Sequence, residues 1–288
     1  MDSIGIIFND EKPNVMALTD QIVSWLRNNG KKVSFIAAGP GRVDQHFDTC
    51  SERELAKKSQ CIIVLGGDGT LLHTARAVAV EGIPLFGINL GQLGFLTEIE
   101  LPDITPALEK VITGQFKIEE RMMLQATVRR NNQEISKFYA LNDAVITKGA
   151  FARLIRLKTF VNKEFVDIYP ADGLIISTPT GSTAYSLSAG GPLVSPNLEL
   201  MIVTPICPHT LSSRPLVIDK ESVVSVELQN TQAEVMLTID GQSGLLLKTH
   251  DEIIVQKAPF SARFMRLNQR SFYEILRKKL KESRSQDV

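Results

Sequence analysis

One stretch, Cys61 to Val80, limits the folds open to this chain more than any other. Its first five residues, Cys61 to Leu65, are all apolar, the pattern of a short buried strand. Thr70 to Val80 carry Leu71, Leu72, Ala75, Val78 and Ala79 at helical spacing, which predicts a helix. Between them stand Gly66, Gly67, Asp68 and Gly69. Three glycines in four positions free the backbone to take φ > 0 and to approach a ligand closely. A turn that ends at a helix N-terminus also presents unpaired N–H groups, which attract anions. The one side chain in the loop is a carboxylate, and a plain phosphate cradle gains nothing from a negative charge aimed at its ligand. Asp68 reads as a base or a carboxylate working beside a metal ion, or else as a helix N-cap. The loop by itself leaves both readings open.

The surrounding chain sets that stretch in an α/β domain. Ser3 to Asn9, Lys32 to Ile36 and Pro84 to Ile88 read as strands, Pro13 to Asn29 and Glu52 to Lys58 as helices. Strands alternating with helices predict a Rossmann-like N-terminal domain with a parallel sheet. In such a sheet ligands bind beyond the carboxyl ends of the strands, where Asp68 and the segment Asn89 to Phe95 fall. After about residue 100 the pattern changes. A helix over Pro102 to Thr113 stops at Gly114, and strand-like runs then follow one another, including Met123 to Arg130 and Phe138 to Thr147 with a hairpin turn at Asn131-Asn132. Further runs are Arg153 to Val161, Gly173 to Ser177, Leu200 to Pro205, Ser222 to Leu228, Val235 to Ile239 and Glu252 to Gln256. This half reads as a β-rich, antiparallel, sandwich-like domain, interrupted by a short helix within Ser182 to Leu187. Residues 1–100 form the expected α/β domain, residues 101–265 the β-rich one, and the terminal helix in 266–288 packs back on the first.

Bulk properties exclude several classes. Lys plus Arg and Asp plus Glu are both 32, so nothing in the charge balance argues for a nucleic-acid or membrane partner. No apolar run is long enough to span a bilayer, and the N-terminus lacks the basic segment of a secretory signal. Cys50, Cys61 and Cys207 are odd in number and far apart, which argues against a disulfide framework or cysteine zinc site and for a cytoplasmic home. His46, His73, His209 and His250 show no metal-ligand spacing, and Arg277-Lys278-Lys279 reads as a solvated helix end. The sequence has no Walker P-loop, no G-x-G-x-x-G fingerprint and no G-x-S-x-G elbow.

Three further segments carry chemistry. In Asn89 to Phe95, a glycine-rich run after a strand, Phe95 reads as a ring for stacking on a base or as a core residue below a tight turn. Asn142-Asp143 interrupts an apolar run, and a buried amide and carboxylate are expensive unless satisfied. The pair suits a ribose or a held water, or else an edge-strand bulge. Tyr169 to Pro192 crowds hydroxyl residues and glycine around Tyr185, a loop able to offer hydroxyls and N–H groups to phosphates or sugars.

Taken together these motifs resemble the NAD kinase family. They are Gly66 to Thr70, Asn89 to Phe95, Asn142-Asp143, Asp172 to Pro192, Thr204 to Pro215 and Asp240-Gly241-Gln242, in family order. The Gly-Gly-Asp-Gly-Thr element alone is shared with diacylglycerol and sphingosine kinases. The resemblance implies transfer of the γ-phosphoryl group of ATP, with Mg²⁺ on the donor phosphates, to the 2′-hydroxyl of the adenosine ribose of NAD. It implies Asp68 as catalytic base, Gly66, Gly67, Gly69 and Thr70 as the phosphate loop, and Asp68 and Gly69 as dinucleotide contacts. Phe95 matches an aromatic lining the adenine pocket, and Asn142 and Asp143 the pair that binds ribose hydroxyls. Arg153 falls where some members bind substrate, and Asp172 matches a carboxylate near the nicotinamide. Thr183, Ala184, Tyr185, Ser186, Leu187 and Ser188 match the loop that wraps the substrate, and Gln242 a late contact. Many bacterial members carry Glu where this chain has Asp143. The resemblance further implies a homodimer or homotetramer, with the active site between the two domains. Two rival readings are a lipid or sphingoid kinase with the same glycine core, and a non-catalytic NAD(P) sensor.

Overall fold

The computed structural model describes residues 1–38, 50–91, 94–149, 153–210, 212–229, 231, 233–267 and 271–285. The predicted Gly39-Pro40-Gly41 loop and Gln92-Leu93 lie outside them, as do Leu211 within the 204–215 motif and the last residues of the tail, 286–288. The chain forms two compact units, Met1–Glu120 with Ala262–Val288, and Arg121–Ser261.

In the first unit, β1 (Ser3–Phe8), β2 (Lys32–Ala37), β3 (Cys61–Gly66), β4 (Pro84–Asn89) and β5 (Ile99–Glu100) alternate with α1 (Val15–Asn28), α2 (Glu52–Lys58), α3 (Asp68–Val78) and α4 (Ile104–Ile112). The strands run in the order β2-β1-β3-β4, with β5 on β4, and every pairing is parallel. All six residues of β3 are buried, as a strand covered on both faces requires. The amphipathic α1 turns Val15, Ile22, Val23 and Leu26 inward and ends at Asn29-Gly30, where Gly30 takes φ 75°. The chain goes from β1 to β2 on one side and returns to β3 on the other. The order therefore reverses between β1 and β3, and their carboxyl ends are the switch point where open α/β sheets bind ligands.

Two expectations about the glycine loop change. The helix begins at Asp68, not Thr70, and ends at Val78 with a 3₁₀ turn over Ala79–Glu81. Gly66, Gly67 and Gly69 all keep φ outside the left-handed region. Space is what requires Gly66: a Cβ there would stand 2.3 Å from Thr70 Oγ1, because the first turn of α3 folds down onto the strand end.

The second unit is an antiparallel sandwich. β6 (Lys117–Arg130) meets β7 (Gln133–Ala140) across Asn131-Asn132, both at positive φ, in the expected hairpin. Then follow β8 (Asp143–Lys148), β9 (Ile155–Val161), β10 (Glu164–Ala171), β11 (Gly173–Ser177) and, after a 3₁₀ turn at Thr180–Thr183, the short α5 (Tyr185–Ser188). β12 (Leu200–Ile206), β13 (Leu216–Asp219), β14 (Val224–Leu228), β15 (Val235–Ile239), β16 (Ser243–Leu247) and β17 (Glu252–Arg266) complete it. One sheet has the order β13-β12-β11-β8-β15-β16. In the other, β10, β9, β14 and the first residues of β17 pair antiparallel. Leu124, Ile146, Leu157, Leu174, Val226, Leu237 and Val255, all unexposed, belong to the core between them. The last residues of β17 belong to the first unit, where Arg263 and Phe264 lie parallel to β4 and α6 (Phe272–Ser285) follows.

The predicted single strand Phe138 to Thr147 is two strands, broken at Leu141-Asn142 where the chain passes from one sheet to the other. β8 sits between β11 and β15, so Asn142-Asp143 is not an edge-strand bulge.

Candidate active site

In the first unit Asp68 is the first residue of α3, behind Gly67 as N-cap. Its carboxylate does not cap its own helix. Oδ2 accepts the N–H of Phe95 at 2.7 Å, and Oδ1 accepts those of Leu96 at 3.1 Å and Thr97 at 3.2 Å. A carboxylate offers about four lone-pair sites. Three are taken by amides, which leaves one, on Oδ2. Gly94 is fixed by the same contact, since a Cβ there would stand 2.0 Å from Oδ1. The segment is held from its other side as well. Arg266 Nη1 donates to the Leu96 carbonyl at 2.9 Å and to Glu98 at 3.1 Å, while its Nε donates to Glu119. Phe95 stacks at a tilt, 6.1 Å from Phe272 of α6. Asp68, the glycine loop, Thr70 and Phe95 are thus one constellation. Arg266 and Phe272, more than 160 residues away in sequence, carried no motif that could have announced them.

In the second unit Asn142 is half-buried and Asp143 only 3% exposed. Burial and, second, the charge of Asp240 push the Asp143 carboxyl up to about 7. Asp240 and Gly241, at φ 51° and 64°, are the central residues of a tight turn from β15 to β16, with Gln242 N–H donating to the Ile239 carbonyl at 3.0 Å. Gln242 itself is exposed. The hydroxyl-rich segment packs against the same place. Thr178 Oγ1 donates to the Leu141 carbonyl at 2.6 Å, and Thr178 N–H to that of Asn142 at 2.8 Å.

Many of its hydroxyls turn inward and hold the fold together. Ser182 Oγ donates to the Pro179 carbonyl and accepts from Val194 N–H, Ser186 shares a hydrogen bond with Thr204 at 3.1 Å, and Thr180 accepts from Arg121. Tyr185, at 44% exposure, and Ser188 face outward, with Thr183, Ala184 and Leu187 half-buried. Hydroxyl count was legible in the sequence, but not which way each hydroxyl points.

Asp172 and Arg153 are not with this group. Asp143 pairs with Ser177 at one end of β11, whereas Asp172 precedes its other end and bridges Lys148 Nζ at 3.3 Å. Five strand residues separate the two ends by about 17 Å. Arg153, exposed, lies in the link that leaves β8 after Lys148.

Comparison with known proteins decides the family. The sequence model of the ATP-NAD kinase N-terminal domain matches residues 4–116, and that of the ATP-NAD kinase C-terminal domain residues 141–267. An NAD kinase of Desulforamulus reducens is 47% identical, covering 98% of each chain. The chain belongs to the NAD kinase family. An NAD kinase of Moorella thermoacetica is 49% identical over 99% of this chain and 91% of its own. Among solved structures, yeast NADH kinase complexed with NADH superposes with a TM-score of 0.83 at 26% identity, over 96% of this chain and 86% of that one. The Archaeoglobus fulgidus NAD kinase in complex with ATP gives 0.75 at 25% identity, over 96% and 98%.

Proposed function

We propose that this chain is an NAD kinase that transfers the γ-phosphoryl group of ATP to the 2′-hydroxyl of the adenosine ribose of NAD, giving NADP. Family membership supports the substrate pair. The mechanism rests on one observation, the Asp68 carboxylate fixed by three amides with one acceptor site left on Oδ2. A sugar hydroxyl is a poor nucleophile while protonated. Oδ2 accepts its hydrogen bond and takes the proton as the phosphoryl group arrives.

Gly66, Gly67, Gly69 and Thr70 at the head of α3 are suited to the phosphates. The donor phosphates of ATP would carry the Mg²⁺ ion. Mg²⁺ so bound supplies charge neutralisation. In this reading Phe95 lines the adenine pocket, Asn142 and Asp143 hold ribose hydroxyls, and Thr183, Ala184, Tyr185, Leu187, Ser188 and Gln242 enclose the dinucleotide. Ser186, whose hydroxyl is bonded to Thr204, serves by shaping that loop.

The distance along β11 separates Asp172 from that pair, and Arg153 follows the opposite end of β8 from Asp143. We assign them to a dinucleotide held mainly by a second copy of the chain, in a homodimer or homotetramer. We place the enzyme in the cytoplasm, and no described helix is long and apolar enough to cross a membrane. The test is NADP formation from NAD, ATP and Mg²⁺, read by a coupled dehydrogenase, with diacylglycerol offered in parallel. Phosphorylated lipid without NADP, or NAD binding without turnover, would overturn this reading.

A further inference from the structure

We propose that Asp240 is a positioning residue for the Asn142-Asp143 pair, acting through the backbone of residues 141 to 143. The inference rests on the reading that this pair binds the ribose of NAD. Its basis is that one carboxylate gathers three successive amides: Oδ2 accepts from Leu141 at 3.0 Å, and Oδ1 from Asn142 at 2.8 Å and Asp143 at 3.0 Å. Asp240 N–H in turn donates to the Asp143 carbonyl at 2.9 Å. Leu141 and Asn142 lie where the chain leaves β7 and enters β8, outside both strands, and Asp143 is the first residue of β8. Thr178 takes the carbonyls of Leu141 and Asn142, and a Cβ on Gly181 would stand 2.2 Å from the latter.

Between Asp240 and Thr178 the peptide dipoles around Asn142 are fixed in direction, and the half-buried Asn142 amide projects from a rigid point. Asp240 is 8% exposed and holds φ 51°, a conformation that Asp tolerates in tight turns but that persists only where its surroundings hold it. The arrangement repeats the grip of Asp68 on residues 95 to 97 in the first unit, an acid followed by glycine in both cases. Burying a second carboxylate beside Asp143 is unfavourable for stability alone, so the three convergent amides are what the charge is there to hold.

D240N is the informative change. An amide group keeps the volume but offers one acceptor oxygen, so its NH₂ must face a backbone N–H. The experiment is a double-mutant cycle of D240N and N142A in the full-length chain, with NAD and ATP affinities measured by calorimetry and kcat by NADP formation. D240N is expected to weaken NAD roughly 10- to 100-fold, the scale of a misplaced binding group, with ATP affinity unchanged. The double variant should bind NAD no worse than N142A alone. Additive losses, equal losses for NAD and ATP, or wild-type NAD affinity in D240N would overturn the proposal while leaving the ribose reading intact. Unchanged NAD affinity in N142A would instead overturn that reading, and this proposal with it. If D240N melts below the assay temperature, D240E carries the same cycle, since it keeps charge and acceptors but moves them by one methylene. Wild-type NAD affinity in folded D240E would equally refute the proposal.

Discussion

Gly94→Ala tests the Asp68 clamp without replacing a reacting group. The added methyl would stand 2.0 Å from Oδ1 and 2.3 Å from Oδ2 of Asp68, more than 1 Å inside normal contact. Backbone at 94 cannot retreat freely, because Gly94 N–H donates to Thr97 Oγ1 at 3.2 Å and the neighbouring peptides are held by Asp68 and Arg266. The carboxylate must therefore swing away from residues 95 to 97. Hydrogen bonds to a charged group contribute about 1.5–3 kcal/mol each, and water recovers part of that. Overpacking of this kind costs about 1–3 kcal/mol, so the variant is expected to fold with a lowered melting temperature. The base would be displaced by about 1 Å, which costs catalysis on the order of 100-fold. The assay is kcat for NADP formation well below the new melting temperature, with NAD affinity measured beside it. We expect kcat to fall about 100-fold and NAD affinity to change much less. Wild-type kcat in a folded Gly94→Ala chain would refute the claim that the clamp aims the carboxylate.

Two further outcomes follow from the second unit. Asp143, pushed up to about 7 by burial and then by Asp240, has a raised folded-state pKa, so its contribution to stability is greatest below about pH 4 and is lost as pH rises toward 7. Asp143→Asn is therefore expected to gain a few kcal/mol relative to wild type across that window, read as urea midpoints from pH 4 to 8, and parallel curves would contradict it. Asp251, fully buried, accepts two bonds from Arg130 at 2.8 and 2.7 Å and a third from Lys248 N–H. Asp251→Ala leaves the partly exposed Arg130 to water and should destabilise the chain by about 1–3 kcal/mol, seen in thermal unfolding.

Much of the fold was legible where a segment states its own environment. The five apolar residues Cys61 to Leu65 of β3, the spacing in α1 and the Asn131-Asn132 turn each carry their structure locally. What escaped depends on distant partners. Leu141 is apolar and continues the run from Tyr139, so nothing local marks the break there; the groups that bend the chain are Asp240 and Thr178, about 100 and 37 residues on. Asp68 stands out in the sequence as the one side chain in the glycine loop, yet its hold on residues 95 to 97 follows from β3 and β4 lying side by side, which only the sheet order provides. The loop glycines suggest positive φ and close approach to a ligand, whereas at Gly66 and Gly94 the close approach is to the side chains of Thr70 and Asp68.

The central claim is that Asp68 accepts the proton of the ribose hydroxyl. Asp68→Asn measures it most directly, with NAD affinity and single-turnover NADP formation determined on the same protein. The amide loses the bond to one of three N–H groups, so NAD binding should stay within about tenfold. Loss of the base should slow turnover by roughly 10²- to 10⁴-fold. Turnover near the wild-type rate in that variant would contradict the account.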